Sequence, residues 1–156
     1  MQKIIPFLWF DGQAEDAMKF YTSVFKNSKA GDISRYTEAG PQPAGKVLTA
    51  SFELEGIRFV ALNGGPQFKF TEAVSFQIAC ASQAEVDYYW EKLGQGGQIQ
   101  QCGWLKDKFG LSWQVVPTVL PELLSGPDRA KANRVMQAML QMKKLDIAKL
   151  QQAYEG

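Results

Sequence analysis

Two segments of this chain share one pattern, and this repeat constrains the fold more than any other feature. Residues 4–15 and 74–85 each consist of an apolar strand-like run, a turn, and a Gln-Ala-Glu sequence that opens a helical pattern. The two segments begin 70 residues apart, at Ile4 and Val74, which divides the chain into two similar modules. Repeats of this size indicate a fold built by duplication, and a ligand site is expected between the copies.

The composition is typical of a soluble globular protein and argues against several partners. Of the 156 residues, 46% are hydrophobic and 21% are charged, which is enough apolar material for a substantial core. Because the net charge is +1 and no basic block is present, we expect no nucleic-acid partner. We also expect no membrane partner, because no apolar run approaches the roughly 18 residues of a membrane span.

The side chains that most often carry catalysis are scarce. The chain contains no histidine, which excludes the commonest general base and any zinc site that needs imidazole. Cys80 and Cys102 lack the close spacing of a metal or redox motif. Since no signal peptide is visible, two cysteines of this kind predict a reduced, cytoplasmic setting.

Hydrophobic periodicity predicts the same order of elements in both modules: strand, helix, strand, strand, strand. The elements expected in the first module are strand 4–10, helix 13–25, and strands 32–37, 47–54 and 57–63. Those expected in the second module are strand 74–80, a helix after Ser82 that runs to Leu93, and strands 98–101, 104–107 and 111–116. Ser82 with Glu85 is a capping-box pattern, and Glu55-Gly56 predicts a hairpin turn.

The segment after the second module has a helical pattern. Pro127 is expected in the first turn of one helix, and Asp146 is expected to cap the last one. Because these helices are too short to be stable alone, we expect them to dock on another surface. The predicted divisions are a first module at 1–66, a second module at 67–120 and a helical tail at 121–156, within one compact domain. The predicted fold class is α+β, with two βαβββ modules that form an open barrel with a central cleft, plus C-terminal helices.

Several segments resemble one protein family across nearly the whole chain. The segments are 6–12, 61–66, 68–70, 75–77, 102–107, 112–117 and 135–140. With the layout above, they resemble the vicinal oxygen chelate superfamily, which includes glyoxalase I, extradiol dioxygenases, and fosfomycin and bleomycin resistance proteins. Within it, the chain resembles the PhnB-like group, whose members often carry the description demethylubiquinone methyltransferase-like. A resemblance at this level implies a fold and a cleft but no particular substrate, since one scaffold hosts many reactions.

The resemblance also implies where a metal would be held. Superfamily enzymes take two ligands from each module, one on its first strand and one on its last. By position, these slots hold Pro6 and Phe76 on the first strands, and Val60 (or Ala61) and Gln114 on the last strands. Carbon side chains and a neutral amide are poor ligands for a divalent metal. We therefore expect no metal and no cofactor.

The candidate ligand-binding residues are aromatic or amide side chains near the expected cleft, together with one carboxylate. They are Trp9, Glu53, Asn63, Gln67, Phe70, Gln77, Trp104 and Gln114. Gln77 and Gln114 lie within otherwise apolar strands, where they either satisfy each other on the sheet or face a ligand. The aromatic residues either pack in the core or form a flat apolar wall. Gln67 replaces a histidine that PhnB-like relatives commonly show, so it can orient a ligand but cannot transfer a proton.

Three hypotheses for function follow. The first is a small-molecule binding protein that takes an apolar or aromatic compound in the inter-module cleft without the superfamily's usual metal. The second is a superfamily enzyme (a lyase, isomerase or group-transfer catalyst) that relies on Glu53, on Cys102, or on an unrecognised metal site; no catalytic residue is assigned. The third is an interaction module that assembles through its tail helices. A homodimer is expected in each case.

Overall fold

The computed structural model describes residues 1–156. Contacts within the chain define two compact units, Met1–Phe70 and Thr71–Gly156. Both units contain a four-stranded mixed sheet with the same pattern of strand neighbours. The α+β class and the repeated strand-helix-strand-strand-strand order are therefore confirmed, and neither sheet closes into a barrel.

Unit one has five elements. They are β1 (Phe7–Phe10), α1 (Ala14–Val24), β2 (Ser28–Arg35), β3 (Val47–Leu54) and β4 (Ile57–Asn63). The strand order across the sheet is β1-β4-β3-β2, with β1 parallel to β4 and the other pairs antiparallel. A β1–β4 parallel pair requires a long crossover, which α1 and the hairpin strands supply.

One face of this sheet packs against α1. The apolar helical face expected from periodicity is confirmed, because all six of its residues are buried: Ala14, Ala17, Met18, Tyr21, Val24 and Phe25. The ring centroids of Tyr21 and Phe52 lie 5.7 Å apart, and those of Phe52 and Phe59 lie 5.5 Å apart. Aromatic burial of this kind supplies much of the apolar area that stabilises a small unit.

Unit two begins with the same five elements. They are β5 (Ser75–Cys80), α2 (Gln83–Gly94), β6 (Gln98–Ile99), β7 (Trp104–Lys106) and β8 (Ser112–Pro117). The strand order is β5-β8-β7-β6, which repeats the first sheet strand for strand. Ser82 caps α2, since its hydroxyl accepts a hydrogen bond from the backbone N–H of Glu85 at 3.2 Å.

Three further helices complete unit two. They are α3 (Val119–Ser125), α4 (Arg129–Leu140) and α5 (Ile147–Glu155). Val116 at the end of β8 shares one buried apolar cluster with residues of these helices and their connections: Leu120, Val135, Leu145 and Leu150. The expected docking is thus found within the same unit. No helix of the structure combines the length and apolar character that a membrane crossing requires.

Several predicted boundaries were wrong. β2 starts at Ser28, four residues before the predicted start, because its pairing with β3 tolerates an irregular register between Ala30 and Ile33. β1 starts at Phe7, since Ile4 and Ile5 make no ladder. Pro127 precedes the N-cap of α4, Asp128, and so lies outside the helix. Asp146 caps α5 as expected.

Candidate functional site

Each sheet has one face covered by the helix of its own module, α1 or α2. We call the opposite face, which that helix does not cover, the helix-free face; in unit two its Val116 end packs against the C-terminal helices. In unit one, Phe52 faces α1 through its contact with Tyr21. Because side chains alternate along a strand, Ser51 and Glu53 on β3 point the other way. The register then places Val60 opposite Ser51, and Phe7 opposite Val60, on that same helix-free face.

The helix-free face of unit one is apolar along β1 and β4. Phe7 and Trp9 on β1 stand beside their parallel partners Val60 and Leu62 on β4. Val60 is buried, whereas Phe7 is 59% exposed. An exposed phenylalanine beside an indole is a surface that a flat apolar molecule can cover.

Trp9 is held in one orientation from two sides. Its indole N–H donates to the carbonyl of Gly65 at 2.9 Å, and the ring of Phe68 meets it edge-to-face with centroids 4.9 Å apart. The backbone of Gly64 lies directly against the indole, because a Cβ there would be 2.3 Å from the ring. The Gly64-Gly65 pair therefore allows the loop after β4 to close over Trp9. Trp9 is thus held in one orientation, with Phe68 exposed at its edge.

Glu53 also lies on the helix-free face, at the far side of the sheet. Its carboxylate forms an ion pair with the ammonium of Lys29 at 2.9 Å, and Arg58 is its register partner on β4. A groove of about 210 Å³ runs past these side chains and Asp32. Opposite charges compensate each other here, so the carboxylate is engaged by a cation next to it.

Asn63 lies on the helix-covered side of the sheet, and its side chain makes hydrogen bonds to the backbone of unit one. Its side-chain oxygen accepts from the backbone N–H of Ala14 at 2.9 Å, and its amide nitrogen donates to the carbonyl of Val47 at 3.1 Å. The first contact satisfies one of the unpaired N–H groups at the start of α1. A cavity of about 340 Å³ lies beside it, between the start of α1 and the loop before β3.

The two other candidates of unit one follow β4. Gln67 is exposed and its amide makes no hydrogen bond within the chain. Phe70 is half-buried and packs edge-to-face against Phe10, with ring centroids 5.3 Å apart. Since Phe10 is buried on the helix-covered side of β1, Phe70 belongs to the core packing of this unit.

In unit two, the amides and one indole meet on the helix-free face. Leu105 is buried beside Gly94 of α2, and its register partner is Trp113, so these residues mark the covered face. Gln114, one residue further along β8, points the other way. Gln77 on β5 and Trp104 on β7 are its two register partners. The structure therefore brings Gln77, Gln114 and Trp104 together across three neighbouring strands.

The amide of Gln114 is oriented by one hydrogen bond. Its nitrogen donates to the hydroxyl of Ser75 at 2.8 Å, which leaves its carbonyl oxygen without a partner in the chain. Gln77 is exposed and does not pair with Gln114 through its side chain. The alternative of two glutamines that satisfy each other on the sheet is therefore not what the structure has. A carbonyl oxygen with no partner on a half-buried side chain is an acceptor for a ligand.

Two polar residues of this face were missed by sequence reasoning. Ser112 is fully buried, and its hydroxyl has no hydrogen-bond partner. Its register partner Lys106 forms an ion pair with Glu72 at 2.9 Å, and the hydrogen bond from Lys106 lowers the pKa of the Glu72 carboxyl. Ser112 lies two residues before Gln114 on β8, and Lys106 lies two residues after Trp104 on β7, so both point to the same face as those residues. This two-residue spacing was the signal in the sequence that could have identified them.

The two cysteines differ in environment. Cys80 is fully buried at the end of β5, and burial raises the pKa of its thiol to about 12. Cys102 is half-buried in the turn before β7, where its backbone has a φ of +59°. Both are free thiols. Burial makes Cys80 inert, so Cys102 is the accessible thiol of this chain.

The residues of the four expected metal slots do not fit a divalent cation. Val60 and Pro6 lie side by side, since the N–H of Val60 donates to the carbonyl of Pro6 at 3.0 Å, and neither side chain has a donor atom. Phe76 contacts Trp113 on the covered face, with centroids 5.8 Å apart, so Gln77 is the first-strand residue that faces Gln114. Nowhere do three or more His, Cys, Asp or Glu side chains gather as a metal site. Neutral amides alone are weak ligands for such ions.

Comparison with known proteins gives a family and a fold. The model of the family described as 3-demethylubiquinone-9 3-methyltransferase matches residues 2–116. A Bacillus cereus protein of known structure, described as a 3-demethylubiquinone-9 3-methyltransferase and PhnB protein, is 41% identical to this chain. The similarity covers 74% of this chain and 99% of that one, with a TM-score of 0.67.

More distant structures share the fold alone. A protein from Pseudomonas aeruginosa is 21% identical, with a TM-score of 0.62 over 75% of this chain and 98% of its own. The fosfomycin resistance protein FosX from Listeria monocytogenes is 17% identical, with a TM-score of 0.56 over 80% of this chain and 98% of its own. Among curated proteins, a comparison finds no match to this chain.

Proposed function

Because the chain belongs to the family described as 3-demethylubiquinone-9 3-methyltransferase, we propose that it binds a small apolar or aromatic molecule on the helix-free faces of its sheets. The family match and the Bacillus cereus relative also confirm the resemblance to the PhnB-like group, and FosX, one of the fosfomycin resistance proteins, shares the fold. The proposed binding does not use the metal centre usual in that superfamily. Each helix-free face is a separate candidate: Trp9 would contact a ligand on unit one, and Trp104 and Gln114 would contact a ligand on unit two.

The observation that supports this proposal most is the chemistry of the helix-free faces. In unit one, the paired strands present Phe7 against Val60, and in unit two they present Gln77 against Gln114. Apolar surface removed from water stabilises a complex by about 25 cal/mol per Å², and a buried aromatic ring contributes about 150–250 Å². A single oriented amide then distinguishes ligands of similar shape, because a ligand that buries its carbonyl oxygen without donating to it loses about 1–3 kcal/mol of binding free energy.

The enzyme hypothesis has less support from the same residues. The Glu53 carboxylate is occupied by the Lys29 ammonium at 2.9 Å. Cys102 belongs to a turn before β7, where its backbone N–H, and not its thiol, is hydrogen-bonded. The family's description names a methyl transfer, yet the chain has no glycine-rich loop that opens directly into a helix, which is the usual cradle for a nucleotide-like cofactor.

The assembly and location are part of the same proposal. We propose a cytoplasmic homodimer, on two grounds. Both cysteines are free thiols, as expected in a reducing compartment. Large apolar side chains are also exposed at 50% or more in unit one, among them Ile57 and Phe68, which is the kind of surface that a second copy covers. Sedimentation of the purified protein across a range of concentrations tests the dimer.

The binding proposal is tested with a matched pair of probes. Naphthalene offers a flat apolar ring system, and quinolin-2-one offers a similar shape with an N–H donor and a carbonyl at one edge. We expect both probes to raise the thermal midpoint, and Gln114→Leu to weaken quinolin-2-one about tenfold while leaving naphthalene unchanged, because only the former donates to the amide oxygen. Trp104→Ala should weaken both probes by about threefold to tenfold.

The control is Trp90→Ala, which removes an indole from α2 and not from a helix-free face. It should leave the affinity for both probes unchanged. Addition of EDTA should have no effect on either probe. If a panel of aromatic compounds gives no thermal shift, and turnover of a glyoxalase, dioxygenase or fosfomycin substrate is found, the binding proposal is wrong and the enzyme hypothesis takes its place.

A further inference from the structure

We propose that the C-terminal helices position Trp104 for ligand binding by holding the turn that precedes it. The turn consists of Cys102 and Gly103. The segment that holds it is 142–147, which connects α4 to α5 and ends at the first residue of α5; we call it the anchor segment. Where the inference concerns ligand affinity it rests on the proposed function. Where it concerns the orientation of the indole it stands independently.

The anchor segment lies beyond the part of the chain that the family accounts for. The family model ends at residue 116, before α3, and the Bacillus cereus chain is covered to 99% while only 74% of this chain is used. The three C-terminal helices, including segment 135–140 that was counted in the sequence resemblance, are therefore an addition to the matched scaffold.

The anchor segment binds the turn through its backbone. The N–H of Cys102 donates to the carbonyl of Met142, and the N–H of Gly103 donates to the carbonyl of Lys143, both at 2.8 Å. The carbonyl of Gly103 in turn accepts from the N–H of Val115 on β8 at 2.8 Å. The turn is thus fixed between the added helices on one side and the sheet on the other.

The turn also needs this support because of its backbone conformation. Cys102 has a φ of +59° and Gly103 a φ of +82°. A non-glycine residue in this left-handed region is strained, and such a conformation persists where the surroundings determine it. Leu145 packs against Gly103 so closely that a Cβ there would lie 2.9 Å from its Cδ1 atom. The next residue along the chain is Trp104, whose direction onto the helix-free face follows from that of the turn.

The anchor segment is itself fastened to α2. The side-chain nitrogen of Gln83 donates to the carbonyl of Leu145 at 3.1 Å, and its oxygen accepts from the N–H of Ile147 at 2.8 Å. Lys144, the residue before Leu145, forms an ion pair with Asp87 of α2 at 2.9 Å. Gln83 therefore holds the anchor segment through both the nitrogen and the oxygen of its side-chain amide. It lies on α2 and not on the helix-free face.

The test uses fluorine NMR of protein labelled with 5-fluorotryptophan. The chain has four tryptophans, and the Trp104 resonance is identified by its loss in Trp104→Phe. We expect Leu145→Ala to shift or broaden the Trp104 resonance while that of Trp9, in unit one, stays in place. We expect hydrogen exchange at the Cys102 and Gly103 amides to accelerate about tenfold or more.

The matched control is Leu150→Ala. Leu150 is as deeply buried in the same cluster as Leu145, but the atoms nearest to a Cβ at Gly103 belong to Leu145 and Val115 and not to Leu150. It should leave the Trp104 resonance unchanged. Should Leu145→Ala fail to fold, Gln83→Ala removes both hydrogen bonds from α2 to the anchor segment without opening a core cavity. Its control is Gln137→Ala, on the exposed side of α4.

Two outcomes would overturn the inference. The first is a Trp104 resonance that stays in place in Leu145→Ala and Gln83→Ala although the turn amides exchange faster. The second is an equal displacement in Leu150→Ala. The probe measurements separate this failure from that of the proposed function. If the resonance moves as expected but neither naphthalene nor quinolin-2-one binds the unmodified protein, the positioning stands and the binding proposal is wrong.

Discussion

The buried carboxylate of Asp107 allows a prediction whose magnitude can be worked out from the structure. Asp107 is 2% exposed and lies in the turn between β7 and β8. One of its oxygens accepts from the backbone N–H groups of Phe109 at 2.9 Å and Leu111 at 3.1 Å. The other accepts from the indole N–H of Trp113 at 2.9 Å. Asp107→Asn keeps the shape of this side chain and replaces one acceptor with a donor.

The substitution cannot satisfy all of these donors in either amide orientation. If the new NH₂ faces the indole, the Trp113 N–H loses its acceptor; if it faces the turn, two backbone N–H groups lose theirs. A hydrogen bond to a charged group contributes about 1.5–3 kcal/mol, and a buried donor left unpaired costs about 1–3 kcal/mol. We therefore expect the free energy of unfolding to fall by about 2–3 kcal/mol. For a chain of this size, that corresponds to a fall in Tm of about 4–12 °C.

Urea unfolding followed by tryptophan fluorescence measures this loss, since one of the lost hydrogen bonds belongs to an indole. The control is Asp11→Asn, in the exposed turn after β1, which should change the free energy of unfolding by less than about 0.5 kcal/mol. A loss below about 1 kcal/mol for Asp107→Asn, or equal losses for both variants, would show that the buried carboxylate does not organise this turn.

Three further predictions follow from local geometry. Gly64→Ala should destabilise unit one by about 1–3 kcal/mol in urea unfolding, because its Cβ would meet an indole at 2.3 Å, whereas Gly126→Ala, with 3.7 Å to its nearest neighbour, should be neutral or slightly stabilising. At pH 8, a thiol reagent should label Cys102 alone in the native protein and Cys80 only after denaturation, because burial holds the pKa of Cys80 at about 12; native labelling of both would contradict this. Ser112→Ala should leave stability unchanged or raise it by about 1 kcal/mol, since it removes a buried hydroxyl with no partner, and a marked loss would point to a partner for that hydroxyl.

The elements that sequence reasoning predicted best have two local signals that agree. β3 and β4 have the predicted bounds, because strict alternation meets a two-residue turn at Glu55 and Gly56, both of which have positive φ as this hairpin turn requires. The start of α2 was predicted by a capping residue, Ser82, and by the helical pattern after it. Where local chemistry and periodicity agree, tertiary contacts have little to override.

The predictions failed where non-local pairing decides the structure. β2 is an edge strand with mostly exposed residues, so its own sequence carries no pattern, and its pairing with β3 fixes its start at Ser28. Asn63 is the last residue of β4, yet its side-chain oxygen accepts from the first N–H of α1, which no argument from one strand alone reveals. A fixed offset of 70 residues selected Phe76 for a slot, whereas the register with β8 selects Gln77. A slip of one residue reverses the face of a strand.

Within the candidate site, sequence reasoning identified the large side chains and missed the small ones. Trp9, Trp104, Gln77 and Gln114 lie on the helix-free faces, and they are conspicuous in apolar strands. Ser112 was missed, because a serine in a strand has no distinctive signal until its burial is known. A polar residue is informative only when the number of its hydrogen-bond partners can be counted, and that count requires the fold.

The two copies of the duplicated unit present different side chains at equivalent positions of their sheets. The register pairs Phe7 with Val60 in the first copy and Gln77 with Gln114 in the second, at equivalent places in the two sheets. Of these four side chains, two have no donor atom and two have only a neutral amide, which is too little for a divalent cation. The same replacements give the first copy apolar area and the second a directional acceptor. In our proposal, the side chains that offer no site to a cation belong to the same faces that bind an uncharged aromatic molecule.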